Sequence, residues 1–239
     1  MNEFDLAELC GIHAGDGYLR LNGHRRDWDI SGHIEEKSYY DHCIAHLIQN
    51  VFRFAIQPRY FPQRNTYGFV LRDLEIIQFL HRLGFPYGKK STIVRVPRFI
   101  MQDKTLQAHF LRGYFDTDGC LVFCKKNGSF YSLFKRTRHY YPMLRFGTVS
   151  KHLAEELQEI FENFSFTFRF YTVLPKRKNE SIRYDLCLSG VNNLMRWLSA
   201  IGMHNDSKYS RYLVWKKYGF CPPGTTYLER LKILKGELN

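Results

Sequence analysis

The sequence contains no run of about 20 apolar residues, the length a membrane-spanning helix needs. Its opening, Met1-Asn2-Glu3-Phe4-Asp5, lacks the basic start and apolar core of a signal peptide. The expectation is therefore a soluble, intracellular protein with no membrane partner, cytoplasmic or organellar. Its six cysteines (Cys10, Cys43, Cys120, Cys124, Cys187 and Cys221) include no pair with the two-residue gap of a zinc knuckle or redox motif, and they read as buried thiols. Cys120 and Cys124 would hold a metal only with help from a histidine such as His139 or His109. Acidic residues are also in deficit, with 23 Asp and Glu against 35 Lys and Arg, a formal charge of +12 and a pI near 9.4. Such a balance implies a polyanionic partner, nucleic acid first. The 239 residues suffice for one large domain or for two lobes of roughly 100 residues each.

An internal repeat favours two lobes. Leu9-Cys10-Gly11-Ile12-His13-Ala14-Gly15-Asp16-Gly17 matches Leu111-Arg112-Gly113-Tyr114-Phe115-Asp116-Thr117-Asp118-Gly119 at Leu, Gly, Asp and Gly, without a gap. Farther on, Phe79-Leu80-His81-Arg82-Leu83-Gly84-Phe85 is echoed by Trp197-Leu198-Ser199-Ala200-Ile201-Gly202-Met203. The second half is longer between these landmarks. Its insertion is expected in the polar, basic stretch from Lys125 to His139, as a lengthened hairpin.

Each half reads as helix, two strands, helix, two strands, helix. In the first, Ala7–Gly15 has helical spacing, Tyr18–Asn22 and Trp28–Ile34 alternate as half-buried strands do, and Ser38–Phe54 is helical. Gln57–Phe61 and Tyr67–Arg72 form a second strand pair, and a helix over Leu74–Leu83 ends at Gly84. The second half repeats the pattern with a helix at Lys151–Asn163, strands at Thr167–Leu174 and Arg183–Leu188, and a helix at Asn192–Ile201. The fold class expected is α+β: two pseudo-symmetric αββαββα repeats, each with an antiparallel sheet. The first repeat spans residues 1–90, a linker 91–104, the second repeat 105–206, and a C-terminal helical tail 207–239.

The repeated helices carry Gly11, Ala14 and Gly15 in one copy and Gly113 and Thr117 in the other. A mid-helix glycine costs about 1 kcal/mol against alanine, so its presence needs a reason. Close approach of two helix axes supplies one. Packed about a pseudo-twofold axis, the helices would bring Asp16 and Asp118 side by side at their C-terminal ends. There the carboxylates repel each other and meet the negative end of each helix dipole. A divalent cation relieves both problems, and carboxylates with free helix-end carbonyls suit hard Mg²⁺. A single Asp-Gly is an ordinary turn pair, but two copies at matching positions in a basic chain point to a site.

These segments resemble the paired signature helices of the LAGLIDADG homing endonucleases, in their single-chain, two-repeat form. The first copy departs from the signature in having Ala14 where the second has Asp116. The resemblance implies that Asp16 and Asp118 are catalytic. With the main-chain carbonyls of Gly15 and Thr117 they would bind Mg²⁺, or another divalent cation such as Mn²⁺, between two overlapping active sites. Each site would cut one strand of a duplex across the minor groove, in the manner of two-metal phosphoryl displacement. Members of the family often add a lysine and water-binding polar residues, for which Glu35, Lys125 and Lys151 are candidates.

Strand alternation turns Arg20 and Asn22 toward DNA when Leu19 and Leu21 face inward, and Arg169 and Tyr171 when Phe168 and Phe170 do; Arg183 and Asp185 follow on the partner strand. The basic residues Arg25, Arg26, Arg59, Arg64, Lys125, Arg136, Arg138, Lys176, Arg177 and Lys178 suit phosphate contacts. The expected function is a monomeric, site-specific double-strand DNA endonuclease with a long target. A free-standing, intron-encoded form is favoured over an intein, because the first motif begins within ten residues of Met1. The alternatives are an RNA maturase that binds intron RNA, and a non-catalytic DNA-binding regulator of the same fold.

Overall fold

The computed structural model describes residues 2–125 and 139–237. Helix α1 (Glu3–Asp16) begins where the Asn2 side chain accepts the Phe4 N–H at 3.0 Å. It leads directly into a hairpin of β1 (Gly17–Asn22) and β2 (Arg25–His33). A short 3₁₀ turn follows, and then a π-helical stretch, Tyr39–Ile44, runs into α2 (Ala45–Phe52). Strands β3 (Arg59–Phe61) and β4 (Thr66–Leu71) and helix α3 (Leu74–Arg82) complete the first half.

The connector contains one short helix, α4 (Arg98–Met101), within the stretch read from sequence as linker. The second half runs through α5 (Lys104–Thr117), β5 (Cys120–Cys124), β6 (Tyr141–Thr148), α6 (Lys151–Asn163), β7 (Phe168–Val173), β8 (Arg183–Ser189) and α7 (Val191–Ala200). The tail forms α8 (Asp206–Tyr218) and α9 (Tyr227–Lys235). The expected lengthened hairpin falls between β5 and β6, and its residues 126–138 lie outside the described residues.

The two sheets have the same antiparallel topology, β1-β2-β4-β3 and β5-β6-β8-β7. Register fixes which side chains share a face. Leu19 opposes Trp28 and Trp28 opposes Leu71, all turned toward the helices. In the second sheet Leu144 opposes Leu121 and Leu188, and Phe146 opposes Leu186. Trp28 and Trp197 are fully buried, one in each half. No helix among the described residues is long and apolar enough to cross a membrane.

Helices α1 and α5 pack along each other and join the halves. A Cβ added to Gly11 would overlap the Phe110 carbonyl oxygen, and one added to Gly113 would overlap that of Glu8. The obstacles are backbone atoms, so the mid-helix glycines set the distance of closest approach between the two helices. Residues Leu6 to Ala14 are buried without interruption, because α1 is covered by its own sheet on one side and by α5 on another.

Candidate active site and nucleic-acid face

The close helix packing delivers Asp16 and Asp118 to one place. Asp16 is the last residue of α1 and Asp118 follows the last residue of α5. A Cβ on Gly15 would overlap the Thr117 side chain and come within 3.4 Å of the Asp118 carboxyl carbon. Gly32 of β2 makes room on the other side, since a Cβ there would stand 3.1 Å from Asp16 Oδ2. Tyr40, from the π-helical stretch, donates its hydroxyl to the same oxygen at 3.0 Å.

Both helix ends carry a lysine. Lys90 Nζ donates to the carbonyl oxygens of Ala14 at 2.8 Å and Gly15 at 2.5 Å. Lys208 Nζ does the same to Phe115 at 2.8 Å and Thr117 at 2.5 Å. Each ammonium meets the negative pole of a helix, where a cation is favoured. Lys151, nominated from sequence, instead pairs with Glu155 on α6, Lys125 is exposed just beyond β5, and Glu35 accepts the Tyr227 N–H at 3.3 Å. Lys90 and Lys208 were legible in principle. Each lies six positions beyond the repeated glycine, Gly84 or Gly202, but the lysines follow segments that share nothing else.

The electrostatics match a cation site. Burial pushes the Asp16 carboxyl up to about 7, and the negative charges of Asp118 and Glu36 push the same way against Tyr40 and Lys208. Burial also raises Asp118, while Lys90 and Lys208 pull it back. Asp118 is nevertheless reached by solvent, because it lies in an open cleft of about 280 Å³ with Lys90, Tyr114, Gly147 and Arg183 in its walls. Two carboxylates that resist joint ionisation, beside helix-end carbonyls, form an all-oxygen donor set suited to a hard divalent cation. A metal here fits the residues present.

The faces of both sheets away from the helices are rich in arginine. On the first, Arg20 stands 3.6 Å from Asp27, Arg64 is 2.5 Å from Asp29, and Arg59 lies over the Phe61 ring. Asn22, Arg25 and Arg26 are exposed at the β1–β2 turn. On the second, Arg169 and Tyr171 are exposed on β7, and Lys176, Arg177 and Lys178 in the following turn. Arg183 grips Asp185 through two 2.9 Å hydrogen bonds, and Arg145 approaches the same carboxylate at 3.6 Å. Asp185 is on the outward face as expected, yet it is buried beneath these arginines. Phe170, expected inward, is partly exposed and stacks on Tyr184. Arg72 and Arg145 were not singled out from sequence, although β6 alternates cleanly, with Leu144 and Phe146 inward and Arg145 outward. Arg136 and Arg138 lie outside the described residues.

Residues 105–202 match the family model described as "LAGLIDADG-like domain". The match spans the second repeat. The chain as a whole has the two-repeat fold of single-chain LAGLIDADG homing endonucleases. It aligns over 99% of its length with 98% of I-LtrWI bound to target DNA, at a TM-score of 0.58 and 11% identity. With I-DmoI in complex with DNA and Mn it aligns over 84% of its length and 97% of that chain, at 0.54 and 15%. The N-terminal LAGLIDADG domain of DUF199/WhiA shares the fold at a TM-score of 0.53 and 14% identity, over 84% of this chain and 81% of that one. Among curated proteins, the chain is 26% identical over 209 residues to the replication factor C small subunit of Methanocaldococcus jannaschii, and 27% identical over 169 residues to the replicative DNA helicase DnaB of Rhodothermus marinus. These matches cover 87% and 66% of this chain but span only 10% and 17% of those proteins.

Proposed function

We propose that the chain is a monomeric, site-specific double-strand DNA endonuclease that hydrolyses phosphodiester bonds with Mg²⁺ or Mn²⁺, as an intron-homing enzyme would. The observation that carries this reading is the pairing of Asp16 and Asp118 at the ends of two packed helices, each end bearing a lysine on its carbonyls. A divalent cation held by Asp16 and Asp118 would supply Lewis acidity at the scissile phosphate, and the carbonyls of Gly15 and Thr117, which accept from Lys90 and Lys208, would join it through the lone pair those lysines leave free. Lys90 and Lys208 place fixed positive charge beside the same cleft, where negative charge on a phosphate grows during displacement. Tyr40 holds the Asp16 carboxylate in one orientation. The arginine-rich faces suit a duplex lying across both sheets, with antiparallel strands fitting the major groove. Support for a DNA partner also comes from I-LtrWI and I-DmoI, both described as bound to DNA.

The test is to incubate the protein with a duplex library containing a long randomised segment, in Mg²⁺, in Mn²⁺ and in chelator, and to sequence the cut ends. The expected result is metal-dependent cleavage of both strands at one preferred sequence, lost in Asp16→Asn and in Asp118→Asn. Undiminished cutting of both strands by the two variants would show that the chemistry resides elsewhere. Metal-independent cutting would do the same.

A further inference from the structure

About 12 Å up α1 from Asp16, by the rise of the helix, a second group of ligating atoms gathers. Glu8 of α1, Cys43 of the π-helical stretch and His204 of the α7–α8 loop bring Glu8 Oε1, Cys43 Sγ and His204 Nδ1 within 4.8 Å of one another. The separations are 2.8 Å from His204 to Glu8, 3.6 Å from Cys43 to His204 and 4.0 Å from Cys43 to Glu8. In a tetrahedral zinc site with ordinary bond lengths, neighbouring ligand atoms stand about 3.4–3.6 Å apart. The three atoms therefore need to move by only a few tenths of an ångström to surround one ion.

The division of labour on Glu8 favours a metal. Arg112 takes its other oxygen, Oε2, at 2.5 Å, with His109 3.7 Å away, so Oε1 is left for the cluster. The His204 main-chain N–H donates to Asp116 Oδ2 at 2.6 Å, which fixes the loop that presents the ring. Outer partners of this kind orient metal ligands. The open side faces a cavity of about 450 Å³ whose walls include His42, His46 and Asp206, leaving space for a water as fourth ligand. Single π-helical turns are often found at functional sites, and here such a turn carries Cys43.

We propose that Glu8, Cys43 and His204 form a binding site for a borderline-soft divalent ion, Zn²⁺ above all, chemically distinct from the all-oxygen aspartate pair. One sulfur, one imidazole nitrogen and one carboxylate oxygen select Zn²⁺ over Mg²⁺. On binding, the Cys43 thiol loses its proton to solvent and its sulfur bonds the ion, while the hydrogen that His204 Nδ1 shares with Glu8 Oε1 leaves that nitrogen, Nε2 keeping its own, so that the Nδ1 lone pair meets the ion; no redox change is involved. Because the ligands come from both halves of the chain, the ion fastens the first repeat to the loop that precedes α8.

Co²⁺ titration of the full-length protein tests the site. The expected result is a thiolate-to-cobalt absorption band that saturates at one equivalent, is displaced by Zn²⁺ and is unaffected by excess Mg²⁺. Cys43→Ser abolishes the band, His204→Gln weakens affinity by about a hundredfold or more, and His46→Gln leaves both unchanged. Absence of a saturable band in the wild type overturns the proposal, as does its persistence in Cys43→Ser. Should Cys43→Ser fail to fold, zinc X-ray absorption on the wild-type protein decides instead. One sulfur with nitrogen and oxygen neighbours supports the site; no sulfur, or more than one, refutes it.

Discussion

Replacing Gly11 or Gly113 by alanine sets two effects of opposite sign against each other. Helix propensity alone makes each substitution stabilising by about 1 kcal/mol. The packing says otherwise, because the new methyl would overlap the Phe110 or the Glu8 carbonyl oxygen, with the Tyr114 or Ile12 amide nitrogen at 2.8 or 3.0 Å. None of these atoms can rotate away, so α1 and α5 must separate. Overpacking in a well-packed core costs about 1–3 kcal/mol, and this case belongs at the upper end because backbone must move. The expected net loss is about 2 kcal/mol per site, or about 4–8 °C in a protein of this size. The double variant should not be additive, since the two positions face each other across one interface. Gly15→Ala provides a graded comparison: its methyl would meet the Thr117 side chain, which can turn, so the stability loss is smaller even though the change is nearer the aspartates. Thermal melts with matched chemical denaturation measure all four proteins. Gly11→Ala and Gly113→Ala proteins as stable as the wild type, or more so, would refute the claim that these glycines set the helix separation.

Three further outcomes follow from the site. The folded pKa of Asp16, about 7, lies above its ordinary value of 3.8, so its ionisation withdraws stability as pH rises through that interval. In metal-free protein Asp16→Asn should therefore gain about 2 kcal/mol at pH 8, half the roughly 4 kcal/mol ceiling because water enters the cleft, and nothing near pH 3; a pH-independent difference in denaturation midpoint would contradict this. Lys90→Met and Lys208→Met should each slow single-turnover cleavage of the preferred duplex by about a hundredfold, the usual effect of removing one electrostatic stabiliser, and unchanged rates would remove both lysines from the mechanism. Arg145→Ala should reduce the slope of log affinity against log salt by about one unit if the side chain neutralises a phosphate, whereas an unchanged slope in filter-binding measurements would confine it to holding Asp185.

Much of the architecture was legible because it rests on local rules. Ser150 accepts the Leu153 N–H and starts α6 where the apolar spacing begins, and Asp73 does the same for α3. Alternation in β1 turned Arg20 outward with no knowledge of the sheet, whereas β6 alternates as cleanly and its Arg145 was passed over. Asp16 and Asp118 were singled out because a repeat doubles the signal of an otherwise ordinary Asp-Gly pair. Contacts made only across the fold were not legible. Tyr40 reaches Asp16 from a π-helical stretch that sequence spacing reads as plain helix. Glu8, Arg112 and His204 meet across 196 positions of chain, and nothing local marks Glu8 as a buried carboxylate.

The mismatch between the two motifs, Ala14 in one and Asp116 in the other, has a structural reason in how each lysine arrives. Lys90 comes from a connector already tied to the first sheet, where the Gly88 N–H donates to the Leu19 carbonyl at 2.8 Å, and the Val94 N–H to Lys90's own carbonyl at 2.8 Å. No side chain at position 14 is needed to hold it. Lys208 stands instead in the first turn of α8, and that helix must be anchored to α5. Asp116 supplies the anchor: its carboxylate accepts the His204 N–H, and its main-chain oxygen accepts the Asn205 side-chain amide at 2.8 Å. Asn205 in turn caps α8 by accepting the Ser207 N–H at 3.0 Å, which aims Lys208 back at the α5 carbonyls. The inner acid of the second motif thus acts on the candidate centre through the loop it fixes, and the first motif dispenses with one because its lysine is held by the connector.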